Sequence, residues 1–309
     1  MTSSLCRTSP AITLWAVVLV ALLSPMVSHA GLAGVDVPGS KRLTVSDWGG
    51  APITLWYLRG ANTSADAPIV FVMHGVGRDA DRYLAEWRDI ALANELVVVV
   101  PEYAQDHFPG SAGYNFGGVF DESGNLQPKA RWAYSSIEPL FDALRHHENL
   151  DAKQYWLFGH SAGAQFVHRF VMLGVAQRMV AAIAANAGSY LFPVATVDWP
   201  FGLRGAPEGA VAGVFASPMV VMLGDADSDP NHRSLPRQPA AMEQGPHRYA
   251  RGQNFYGTSR QIAMRTGQTF NWSCVVVPGV AHDNAGIARA AVRIIKGWKP
   301  TPGADCTSR

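Results

Sequence analysis

YWLFGHSAGAQFVHRFVML, residues 155–173, sets an apolar run, a glycine-bounded turn and an apolar helical stretch in immediate succession. Residues 155–158 read as a buried strand, and a helical pattern leaves the turn. Between them Gly159-His160-Ser161-Ala162-Gly163 fits G-x-S-x-G. A strand that turns straight into a helix crowds its own backbone, so the positions flanking the serine must be very small. The turn lifts the Ser161 hydroxyl clear of the sheet and aims a helix N-terminus at any oxyanion that develops beside it. As a bare pattern the motif recurs by chance; between a strand and a helix it is a strong sign of a nucleophilic serine.

Outward from this turn the same alternation continues. Apolar runs at 69–73 (IVFVM), 96–100 (LVVVV), 180–185, 219–223 and 274–277 complete a set of six with 155–158. Helical spacing separates them: Tyr83, Trp87, Ile90, Ala91 and Asn94; then Ile137, Leu140, Phe141 and Leu144; finally Ile287, Ala290, Ile294 and Ile295. Continuous apolar strands alternating with amphipathic helices predict an α/β fold, a mostly parallel sheet with helices on both faces. Two earlier runs, 42–46 and 53–58, read as an antiparallel opening hairpin. No repeat or long linker divides residues 31–309, which read as one domain. Three long segments break the rhythm at 103–130, 189–216 and 228–246. The first two are rich in aromatics, which favours walls of a pocket over plain surface insertions.

A serine hydroxyl is a weak nucleophile and needs a base, and the base needs a group to orient it. For this turn the expected chain order is serine, acid, histidine, with the later two just past strand ends. Residues 219–223 run into Gly224-Asp225-Ala226-Asp227, and 274–277 into Pro278-Gly279-Val280-Ala281-His282. His282 is the candidate base among ten histidines. Asp227 fits a G-x-x-D spacing and is the favoured acid; Asp225, two residues nearer the strand, stays open. The acidic run 225–229 does not make an EF-hand, since Pro230 and Pro236 stand where glycine and glutamate are required. An oxyanion needs two backbone N–H donors. Ala162 supplies one, and Val76, in His74-Gly75-Val76-Gly77 after residues 69–73, is the candidate for the other.

With HGVG, GHSAG, the G-x-x-D acid and the late histidine in this order, the chain resembles the α/β-hydrolase family over nearly all of residues 40–298. Within it, secreted polyhydroxyalkanoate depolymerases and feruloyl esterases look most similar. The resemblance implies an eight-stranded core and ester hydrolysis through an acyl-enzyme, with no metal and no cofactor. It departs from many depolymerases in having Ala164 after GHSAG and in showing no separate substrate-binding domain or linker, which argues against insoluble polymer as substrate. The same residue set would serve a peptidase or amidase. A non-catalytic binding protein on this fold would usually have lost a member of the set.

Residues 1–30 read as a secretory signal peptide: Arg7, then an apolar run over 11–23, then Ser28-His29-Ala30 before the cut. A thirteen-residue run, apolar apart from Thr13, falls short of the roughly 20 residues a spanning helix needs, so no stable membrane anchor is expected after cleavage. Secretion or a periplasmic location follows. Export leaves Cys274 and Cys306, an even pair that suggests a disulfide.

Composition narrows the partners. With 48% apolar and 16% charged residues the chain buries a sizeable core, and 25 basic against 24 acidic residues give no bulk charge for nucleic acid. Charge is uneven, however: residues 231–265 hold Arg233, Arg237, Arg248, Arg251, Arg260 and Arg265 against the single acid Glu243. Either these lie on a solvated helix and loop face, or they bind an anionic substrate such as a carboxylate-bearing polyamide. The aromatic segments point instead to small-molecule or polymeric acyl and aryl esters.

Overall fold

The computed structural model describes Met1 and residues 36–210 and 213–308. The architecture below is that of the unit spanning residues 34–309. The signal segment expected at 1–30 lies outside the described residues.

Among the described residues nine strands form one sheet in the order β1-β2-β4-β3-β5-β6-β7-β8-β9. They are β1 Lys41–Val45, β2 Ile53–Arg59, β3 Ile69–Met73, β4 Val97–Glu102, β5 Tyr155–His160, β6 Met179–Ala185, β7 Met219–Gly224, β8 Trp272–Val277 and the two-residue β9 Thr307–Ser308. The hairpin β1–β2 is antiparallel and β2 meets β4 antiparallel; from β4 to β9 all pairings are parallel. The helices are α1 Ala80–Ala93, the short α2 Gly110–Gly113, α3 Ile137–Glu148, α4 Ala162–Met172, the short α5 Pro239–Met242, α6 Arg248–Arg265 and α7 Asn284–Ile295.

Strand residues alternate between two cores because successive side chains point to opposite faces. Ile69, Phe71 and Met73 of β3 pack with α3, α4 and α6 through Leu140, Phe166 and Phe255. Val70 and Val72 pack the other way, with Trp87 of α1 and Ile287 of α7. A strand buried on both faces has no polar side to show, which is why these runs are continuously apolar. The sequence reading places the six buried strands to within two residues, plus the hairpin. It misses β9.

The order reverses beside β3: its chain returns through α1 to β4 on one side, while β5 joins it on the other. At such a reversal the connections leave in opposite directions and open a crevice at the strand C-termini. Residues 74–79 and Ser161 lie there.

The three long segments alternate exposed stretches with buried anchor residues. Tyr103, Tyr114 and Tyr190 are buried in the core, so these aromatics anchor the segments from below and do not face a pocket. Arginines finish the anchoring. Arg78 donates to the carbonyls of Phe108 (2.9 Å) and Gly110 (2.7 Å), and also to that of Tyr103. Arg169, on α4, donates to Pro200 O at 2.8 Å, and Arg251 to Gly188 O at 2.6 Å and Pro236 O at 3.1 Å. Irregular backbone taken out of water needs such donors, and a guanidinium supplies five in one plane. Burial lowers the pKa of both Arg169 and Arg251 to about 10.

Cys274 of β8 is bonded to Cys306, which fastens the C-terminal tail beside the last strands. The bridge closes a loop of sequence separation 32. By loop entropy its loss costs about 3–4 kcal/mol. Cys306→Ser is expected to lower the urea midpoint and steepen the slope, because the uncrosslinked chain exposes more surface when it unfolds; an unaltered midpoint would show that the tail adds nothing to the fold.

Candidate active site

The turn between β5 and α4 is built by two contacts that only glycine allows. A Cβ on Gly159 would lie 2.3 Å from Gly163 O, and one on Gly163 would lie 1.9 Å from Met73 O at the end of β3. The backbone between them is forced into a rare conformation, with Ser161 at φ 60°, ψ −117°. That costs of order 1–3 kcal/mol and persists because the neighbours over-determine it. Ser161 N–H donates to Ala185 O (3.0 Å), which locks the turn to β6.

Three side chains meet at this turn. His282 Nδ1–H donates to Asp227 Oδ2 at 2.7 Å, and the Ser161 hydroxyl donates to His282 Nε2 at 3.0 Å. A carboxylate only accepts, so the Nδ1 contact fixes the proton there and leaves Nε2 as an acceptor facing the serine. Asp227 is almost fully buried, and the imidazole keeps 13% of its surface exposed.

Asp225 is used differently. Its Oδ1 accepts the Gly279 N–H at 2.7 Å, bracing the turn that carries His282. Asn186, at φ 50°, adds a second brace: its Oδ1 accepts from Gly224 N (2.8 Å) and its Nδ2 donates to Ala281 O (3.1 Å). Sequence reasoning missed Asn186, which follows β6 with no motif to mark it.

Val76 is exposed and lines two cavities that meet at Ser161; Ala162 is buried at the first position of α4. The first-turn amides of a helix have no intrahelical acceptor, which leaves the Ala162 N–H available. The glycines beside Val76 are closely packed, with a Cβ on Gly75 falling 2.7 Å from the Tyr83 hydroxyl. His74 secures this turn from within: its Nδ1–H donates to Gly75 O (3.1 Å) and its Nε2 accepts from Tyr103 N (3.2 Å).

One cavity, of about 260 Å³, is bounded by Asn115, Phe116, Gln165, Ser189, Phe201 and Leu235. Phe116 and Phe201 meet edge to face there, with centroids 6.3 Å apart, so each of the two aromatic-rich segments contributes one ring to a wall. The other cavity, of about 650 Å³, holds His160, His232 and His282 together with Asp79, Arg82 and Glu86 of the α1 region. Asp79 pairs with Arg82 at 2.5 Å.

The arginines of 231–265 do not form one surface. Arg248 and Arg251 are buried, exposed Arg237 donates to Pro230 O at 3.1 Å, Arg260 pairs with Asp305 at 2.6 Å, and Arg265 is exposed on the last turn of α6. Arg233 alone of the six borders both cavities; it is exposed, and among the described residues it has no ion-pair partner. The six therefore form neither one solvated face nor one cationic surface: two are buried, and one borders both cavities.

Burial keeps several histidines neutral. Desolvation is the largest cause at His74, whose pKa falls to about 4, and at His160 and His168, which are pushed well below the usual value. For a group with a depressed native pKa, the unfolded chain binds the proton first as pH falls below about 6.5. Stability is therefore whole above pH 6.5 and is lost on acidification towards pH 4, at roughly 1.4 kcal/mol per pH unit for each histidine. Thermal melts between pH 7 and 5, above the carboxylate range, should show a falling Tm; a flat Tm would mean these rings take up protons in the native state.

The chain is similar to poly(aspartic acid) hydrolase-1 from Sphingomonas sp. KT-1, at 38% identity over 84% of this chain and 99% of that one, with a TM-score of 0.80. It is similar to LpqC, a poly(3-hydroxybutyrate) depolymerase from Bordetella parapertussis, at 34% identity over 85% and 91%, with a TM-score of 0.78. An S-formylglutathione hydrolase from Agrobacterium tumefaciens shares the fold at 16% identity over 86% and 96%, with a TM-score of 0.54. No protein-family model and no curated protein matches the sequence.

Proposed function

The chain belongs to the α/β-hydrolase family of serine hydrolases, and on that premise we propose that it is exported and cleaves carboxylic esters through Ser161, His282 and Asp227. The observation that carries this reading is the unbroken contact from Asp227 to His282 to Ser161, at 2.7 and 3.0 Å, opening into a cavity. Export rests on the leader pattern in the sequence and is supported by the Cys274–Cys306 disulfide. Among the described residues no helix is long and apolar enough to cross a membrane.

In this mechanism Ser161 Oγ attacks the acyl carbon while His282 Nε2 takes its proton. Asp227 holds the imidazole tautomer and stabilises the imidazolium. The oxyanion is met by the N–H groups of Ala162 and Val76. Collapse expels the leaving alcohol, protonated by His282, and leaves an acyl-enzyme. Water, deprotonated by the same imidazole, then releases the acid. His282 must be neutral to start, so turnover falls in acid.

A second reading, amide hydrolysis of an anionic polymer, is favoured by one observation: Arg233 stands unpaired at the junction of both cavities. The relative named as a poly(aspartic acid) hydrolase supports the same direction.

Mature wild type, Ser161→Ala, Asp227→Asn and Asp225→Asn are to be assayed on p-nitrophenyl esters, poly(aspartic acid) and poly(3-hydroxybutyrate). Ser161→Ala is expected to lose on the order of 10⁶-fold in kcat, and Asp227→Asn about 10⁴-fold. Asp225→Asn keeps an acceptor for Gly279 and should lose far less. Retained turnover in Ser161→Ala would sink the proposal, and a protein that turns over none of these while still binding them would be a binding module on the same fold.

Arg233→Ala separates the substrate classes. If the polymer is anionic, its KM rises at least several-fold more than that of a neutral ester, and added NaCl imitates the mutation by screening. Equal effects on both substrates would leave Arg233 no part in selecting charge.

A further inference from the structure

We propose that Arg248 is a positioning residue for the relay, its buried guanidinium holding Asp227 on one side and the Arg233-bearing loop on the other; this rests on the reading of Ser161, His282 and Asp227 above. Arg248 Nη1 lies 3.4 Å from Asp227 Oδ1, and the two side chains are 1% and 2% exposed. The other acid oxygen, Oδ2, is the one bound to His282. The carboxylate is thus divided between an imidazole and a guanidinium. The backbone repeats the grip, since Tyr249 N–H at the start of α6 donates to Asp227 O at 3.2 Å.

The second arm of Arg248 reaches the loop after β7. Nη2–H donates to Ser234 Oγ at 2.9 Å and, more weakly, to His232 Nδ1 at 3.4 Å. Arg233 lies between these two residues in sequence, so the side chain that steadies the acid also steadies the backbone that carries the free cation. A buried charge has value only with its partners in place, because each partner removed leaves the other uncompensated. The pairing of an 18-residue helix to Asp227 therefore holds the acid, the base and the cavity rim in one geometry.

A charge this near the relay also acts on the base. The groups that face His282 are Asp227 after β7, His160 at the end of β5 with ring centroids 4.6 Å apart, and His232 at 5.1 Å. Arg248 from α6 stands behind Asp227, Asp283 follows the base in sequence, and Asp79, Arg82 and Glu86 line the same cavity from the α1 side. Of these, Asp227 favours the imidazolium and Arg248 opposes it. Taking Arg248 away leaves the carboxylate unopposed, makes His282 easier to protonate and carries the loss of activity to higher pH.

The test uses Arg248→Gln and Arg248→Lys in the full mature chain, with two readouts against pH: kcat/KM on a neutral p-nitrophenyl ester, and the rate at which a fluorophosphonate labels Ser161. Arg248→Gln is expected to move the acid limb of both profiles upward by on the order of one pH unit. Arg248→Lys keeps the charge but loses the fork, so it should leave the limb in place and lower kcat about tenfold with little change in KM. A folded Arg248→Gln with the wild-type acid limb overturns the proposal. If Arg248→Gln does not fold, Arg248→Lys decides: a wild-type kcat overturns it, and a lowered kcat with an unmoved limb sustains it. Failure of the probe to label wild-type Ser161 would bring down the relay itself, a result distinct from either.

Discussion

Everything at the mouth of the crevice depends on how closely α4 approaches β3. Gly163 sits against the Met73 carbonyl and Gly159 against Gly163, with no room for a methyl group at either. That approach holds Ser161 at a positive φ and brings α4's first amides beside HGVG, where Val76 borders both cavities. The sheet makes this possible: β3 and β5 are parallel neighbours in register, Met73 opposite Gly159, so both turns leave at one level. Strain confined to one serine is small beside the apolar burial of two cores, each fully buried large side chain contributing roughly 1.5–3 kcal/mol.

Polar groups inside this apolar frame are arranged by what they can donate. His74 and His168 are each locked between a carbonyl and an amide as neutral rings, His74 linking two loops and His168 linking α4 to a loop. Arginines do what neutral side chains of their length cannot. Arg78, Arg169 and Arg251 each satisfy carbonyls of segments that have no ladder of their own, and Arg248 satisfies a carboxylate. Four cations are thus spent on positioning loops around the cavities, while Arg233 stays free at their junction.

Much of this was legible in the residues. The continuous apolar runs identified six buried strands because a strand covered on both faces must be apolar throughout. The G-x-S-x-G turn was legible because its glycines answer a steric demand visible from spacing alone. The acid was harder. Asp225 and Asp227 both follow β7, and only the twist of the turn after it sends one carboxylate to His282 and the other to the Gly279 amide. The aromatic segments were half legible: Phe116 and Phe201 wall a cavity, while Tyr103, Tyr114 and Tyr190 face the core. Composition shows that rings are present, not which way an irregular backbone turns them.

The sequence by itself determined the layering of the sheet, the position of the sharp turn and the chain order of serine, acid and histidine, because periodicity and steric exclusion are local properties. Only the tertiary structure decided which arginines are buried and which one borders the cavities. Within 231–265 all six carry the same charge and an unremarkable spacing. Burial depends on what lies across from each: a carbonyl of Gly188 for Arg251, the acid itself for Arg248, and an open cavity for Arg233. Long-range electrostatic partners are set by the fold, and no local pattern encodes them.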